Sequence, residues 1–91
     1  HLRKTRQLNH VGMRQLTDGF RQLDLAFIPS VGNFICVEVG DAARFNDALL
    51  RQGVIVRPIA SYGMPRHLRV TIGLQEENSR FLAALRTVLG R

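Results

Sequence analysis

Apolar residues follow two rhythms along this chain, one helical and one alternating. Leu8, Val11, Leu16, Phe20 and Leu23 fall near a common stripe of a helix from about Leu2 to Leu23. Gly12 and Gly19 weaken that helix, and Asp18-Gly19 is a point where it could bend or end. Leu25–Pro29 reads as a short edge segment, because proline cannot donate to a ladder. Over Asn33–Val39 the rhythm changes to alternation: Ile35, Val37 and Val39 share one face, and Phe34, Cys36 and Glu38 the other. Gly40 ends that strand. Asp41 is a good N-cap for a helix over Ala42–Gln52, with Gly53 at its C′ position. Phe45 and Leu49 supply that helix's buried contacts, with Ala42 and Ala48 nearby. Gln75–Leu89 reads as a last helix. Glu76 and Glu77 in its first turn and Arg86 in a late turn complement its dipole. Phe81, Leu82, Leu85, Val88 and Leu89 form its apolar side, and Gly90 closes it.

Between the second and last helices lie two β-branched runs, Val54–Val56 and Leu68–Ile72. Pro58 breaks the first, and Tyr62-Gly63-Met64-Pro65 punctuates the link between them. Alternation groups Leu68, Val70 and Ile72 against Arg69 and Thr71, and Val54 and Val56 against Ile55 and Arg57. If the valines face the core, Arg57 and Arg69 emerge from the same open face of one small sheet. A guanidinium fixed on a strand suits an anion, since its planar fork of donors matches a carboxylate or phosphate. Spacing alone reads both first as solvated arginines of a half-exposed sheet. The order α-β-β-α-β-β-α predicts an α+β, two-layer domain spanning residues 1–91: a small, mainly antiparallel sheet with helices packed on one face. The other sheet face stays uncovered, and two arginines make it unusually polar.

Ninety-one residues, 45% of them hydrophobic, support one packed domain and argue against disorder. The formal net charge is +6, from 13 Lys and Arg against 7 Asp and Glu. That excess permits nucleic-acid binding, so a basic α+β nucleic-acid module is the reading from another class. The basic residues are nevertheless spread out, apart from Arg3-Lys4-x-Arg6, and no RNA-recognition, helix-turn-helix or zinc-ligand pattern accompanies them. No specific nucleic-acid partner is therefore expected.

No apolar run approaches a membrane span, so no membrane partner is expected. The lone Cys36 cannot form an internal disulfide and suits a small, semi-buried filler. No secretory pattern opens the sequence, which fits a cytoplasmic setting. A start at His1 fits a piece of something longer. His1, His10 and His67 lack metal-ligand spacing, so no metal is expected. His67 falls on Arg69's side of the alternation, where it could line a cleft; a solvent-exposed turn histidine is the first reading.

Gly53-Val-Ile-Val-Arg-Pro, Tyr62-Gly-Met-Pro, Leu68-Arg-Val-Thr-Ile-Gly, then Glu76-Glu77-Asn78 and Arg80-Phe81, resemble the end of histidinol-phosphate aminotransferases. These belong to the fold-type I, pyridoxal-phosphate-dependent family. The resemblance continues upstream through Ile28-Pro29-Ser30-Val31-Gly32-Asn33-Phe34 and covers most of the chain. It implies the small C-terminal domain of a longer aminotransferase. Related transaminases and decarboxylases carry similar tails.

By this resemblance Arg69 matches the arginine that binds the substrate's α-carboxylate, or the corresponding end of the substrate. Arg57 matches a second arginine that helps hold the phosphate of histidinol phosphate. Tyr62 is a candidate cleft residue with no matched role. The resemblance places the Schiff-base lysine, the acid at the pyridine nitrogen and most of the phosphate grip in a large domain earlier in the chain. The only lysine here, Lys4, has nothing near it in sequence to depress its pKa. Residues 1–91 are therefore expected to carry no catalytic residue and to bind no cofactor alone. The parent would use pyridoxal phosphate and form a homodimer. The open sheet face would turn toward its large domain and the cleft.

Overall fold

The computed structural model describes residues 2–29 and 32–90, with side chains described from His10 onward except at Ser61. Helix α1 spans Leu2–Gln22, β1 Phe27–Pro29, β2 Phe34–Glu38, α2 Ala42–Arg51 and β3 Arg57–Ile59. A 3-10 turn over Ala60–Tyr62 leads to β4, Met64–Thr71, and then to α3, Gln75–Leu89. The strands form one sheet in the order β1-β2-β4-β3, and every pair is antiparallel. This is the expected α+β architecture. The core lies between one sheet face and the helices, with Ile35, Val37, Leu68 and Val70 meeting Leu16, Phe20, Leu49 and Leu85. Phe20 is fully buried at its centre, tilted against Phe27 at 5.8 Å and edge-on to Phe81 at 6.1 Å.

The local signals act largely as read. The Asp41 carboxylate accepts from the Arg44 amide at 3.1 Å and starts α2. Gly53 and Gly90 take left-handed backbone at φ +77° and +75°, just past the ends of α2 and α3. Helix α1 runs unbroken through Asp18-Gly19, and its glycines serve close approach. A Cβ on Gly12 would collide with the Ile72 side chain, and one on Gly19 would sit 2.6 Å from Leu82. Gly12 thus presses onto the end of β4, and Val11 beside it is 60% exposed rather than part of the buried stripe. Leu8 lies outside the described side chains.

Two expectations about the last strands need correction. Val54–Val56 is not a strand: β3 begins at Arg57, and its pairing with β4 starts at Arg57↔Arg69. The Val54 amide bonds back to Leu49 O, tying the chain to the end of α2. A cleft of about 470 Å³ opens where pairing would have continued, between Val54–Val56 and Val70–Ile72. Burial still alternates there: Val54 and Val56 are buried and Ile55 is 81% exposed. Met64 and Pro65, read as part of the link, are the first residues of β4. Pro58 sits within β3, which tolerates it as an edge strand.

The turn from β4 into α3 is built by the Glu76-Glu77-Asn78 segment. Glu77 Oε1 accepts from the Leu74 amide at 2.8 Å. The Asn78 side chain, 3% exposed, accepts from the Gly73 amide at 3.0 Å and donates to the Gly73 carbonyl at 3.1 Å. It also donates to Gln15 Oε1 at 3.1 Å, which fastens α1 to this turn. Among the described residues no helix is long and apolar enough to cross a membrane.

Candidate functional site

Antiparallel register puts Ile28, Cys36, Arg69 and Arg57 in one row across all four strands. Their neighbours Val37, Leu68 and Val70 are buried, so this row lies on the face away from the helices. Arg57 and Arg69 are directly opposite one another and both exposed, as alternation predicted. Like charges directly opposite in a sheet are destabilising. No carboxylate among the described residues forms an ion pair with either arginine; the two pairs present are Arg21–Asp18 and Arg66–Glu38. The face therefore offers two arginines from adjacent strands with their charge unneutralised by any ion pair among the described residues.

The rest of the face frames them. Phe34, half-buried on β2, lies under Arg69, whose guanidinium carbon sits over the ring 4.3 Å from its centroid. Sequence reading placed Phe34 on the side opposite Ile35 but missed this contact, which depends on the β2–β4 register. Cys36 is half-buried beside Arg69, consistent with a filler. His67 is not an exposed turn residue. It lies half-buried in β4 opposite Glu38, and its Nδ1 is buried without a hydrogen-bond partner. Glu38 is engaged at 3.2 Å by Arg66 Nε. Tyr62, in the 3-10 turn, is 80% exposed.

The 470 Å³ cleft lies elsewhere, lined by Val54, Ile55, Thr71, Arg80 and Phe81 among others, and neither Arg57 nor Arg69 lines it. It is an unfilled sheet edge. The arginine row is the better candidate site because it sets two arginines without an ion-pair partner among the described residues directly opposite one another. Its donors suit an anion. Lys4, the chain's single lysine, lies outside the described side chains. Among the described residues no group of three His, Cys, Asp or Glu could hold a metal ion.

Comparison with known proteins agrees with the motif. The sequence model of the family "Aminotransferase class I and II" matches residues 1–85. "Histidinol-phosphate aminotransferase 2" of Pseudomonas fluorescens is 65% identical over 92 residues, covering 100% of this chain and 25% of that protein. "Histidinol-phosphate aminotransferase 1" of Nitrosococcus oceani is 52% identical over 90 residues, covering 98% of this chain and 24% of that protein. A crystal structure of a Burkholderia pseudomallei protein described as an aminotransferase superposes with a TM-score of 0.80 at 32% identity, over 88% of this chain and 25% of that one. The chain thus spans about a quarter of the length of the curated relatives it matches.

Proposed function

The chain belongs to the class I and II aminotransferases, and on that premise we propose that residues 1–91 form the C-terminal small domain of a longer histidinol-phosphate aminotransferase of histidine biosynthesis. The longer protein transfers an amino group between histidinol phosphate and a 2-oxo acid, as a homodimer in the cytoplasm. This chain supplies the substrate-binding arginines: Arg69 meets the carboxylate-side end of the substrate, and Arg57 its phosphate. Pyridoxal phosphate, held by the large domain of the same chain, supplies the electron sink for that transfer.

The observation that carries the reading is the Arg57–Arg69 pair, directly opposed on the open face without a carboxylate partner among the described residues. A domain that leaves two like charges adjacent gives up stability, and an anionic ligand offsets that cost. The strand backbone roots both side chains at opposed positions of the ladder, so their points of origin are fixed before the substrate arrives. The open face turns toward the large domain, which completes the cleft.

Kinetics of the longer protein carrying Arg57→Ala test this reading. Loss of a charge-assisted contact to phosphate costs about 1.5–3 kcal/mol, or roughly 10- to 150-fold in kcat/KM. The loss is expected with histidinol phosphate and not with unphosphorylated amino donors. Equal losses with both donors would remove the phosphate role from Arg57. A wild-type enzyme that prefers an unphosphorylated amino acid would instead make this the small domain of another transaminase or a decarboxylase.

A further inference from the structure

We propose that Phe34 is a positioning residue for Arg69, an aromatic platform that holds the guanidinium over its ring while leaving the N–H donors free for the anion. This deepens the substrate-binding reading above and rests on it. An arginine side chain has many rotamers, and a substrate that must freeze it loses affinity to that ordering. A carboxylate neighbour commonly fixes such a side chain, but it occupies the donors and cancels the charge. No carboxylate among the described residues pairs with Arg69; instead the guanidinium carbon lies 4.3 Å from the Phe34 centroid, over the ring. The negative face of an aromatic ring attracts a cation without accepting its in-plane hydrogen bonds.

The ladder explains how the two meet. Cys36 is the direct partner of Arg69 and Thr71 that of Phe34, so Phe34 stands diagonally across from Arg69, two residues along β2. Diagonal neighbours are within reach of aromatic and long side chains. Cys36, small and directly opposite, leaves room for Arg69 to lean toward the ring. Phe34 is also a large aromatic on the face away from the core, only half-buried, where packing with the helices does not call for one.

The test uses the longer enzyme with histidinol phosphate. Phe34→Leu removes the ring face and is expected to lower kcat/KM about 3- to 10-fold, through KM, with kcat within about twofold. Phe34→Tyr is expected to restore it. Mono-, di- and trifluorinated phenylalanine at position 34 keep the shape while draining the ring's negative face, and KM should rise with each fluorine. In an Arg69→Ala background Phe34→Leu should add nothing. A flat fluorination series, or a Phe34→Leu loss that persists without Arg69, would overturn the platform role even where Arg69→Ala alone cripples the enzyme. Wild-type kinetics for Arg69→Ala would overturn the underlying substrate reading instead.

Discussion

Asn78→Ala should destabilise the fold far more than one short polar side chain suggests. Three hydrogen bonds disappear together, two to the Gly73 peptide and one to Gln15. At about 1 kcal/mol net each, the expected loss is about 3 kcal/mol, because Asn78 is buried and all three bonds are lost away from water. In urea unfolding of the 91-residue chain, followed by circular dichroism, this moves the midpoint down by roughly 2 M for a slope near 1.5 kcal/mol per M. Asn78→Asp is a sharper probe. Its carboxylate still accepts from the Gly73 amide but faces two acceptors, Gly73 O and Gln15 Oε1, in a buried site. That raises the introduced carboxyl's pKa in the folded state above its unfolded value. The folded state then binds more protons between the two values, so stability falls as pH rises through that window and recovers toward acid. A loss below about 0.5 kcal/mol for Asn78→Ala, or an Asn78→Asp variant that strengthens with rising pH, would refute the assignment of Asn78 as the clamp on this turn.

Gly12→Ala should destabilise by about 1–3 kcal/mol despite alanine's helix propensity, because its Cβ would meet Ile72 in the packed core. Gly19→Ala should cost less, since the atoms it meets are the end of the half-buried Leu82 side chain, which can turn away; thermal melts of the pair read the difference. Asp41→Ala should lose about 1 kcal/mol of stability by uncapping α2, with Asp41→Asn recovering most of it. Exposed Ile55→Thr should melt within about 0.5 kcal/mol of the parent, because Ile55 points away from the core its two valine neighbours fill.

Much of this architecture is legible in short-range chemistry. Asp41, Gly53 and Gly90 mark the ends of two helices because caps act within four residues, and α3 occupies the expected Gln75–Leu89. Alternation put Arg57 and Arg69 on one face because a pleated chain has only two. Long-range partners were harder to read. Val54–Val56 has the alternation and composition of a strand, yet the ladder stops at Arg57, and no local feature says where a partner diverges. Gly12 and Gly19 look like weak points in a helix until Ile72 and Leu82, some sixty residues away, are seen against them. The Asn78–Gln15 bond and the Arg69–Phe34 contact are hidden in the same way: each joins residues that only tertiary register brings within reach.

The central claim is that the open-face arginines grip the substrate's anionic ends, and Arg69→Lys in the longer protein tests it most directly. Lysine keeps the charge but has no planar fork, so a lost bidentate contact should lower kcat/KM by about 2–4 kcal/mol, roughly 30- to 1000-fold. Arg69 is exposed, so the melting temperature should hold within about 1 °C. That combination is the predicted result. Wild-type kcat/KM in the Arg69→Lys enzyme would contradict the account and return Arg69 to an ordinary solvated position on a sheet.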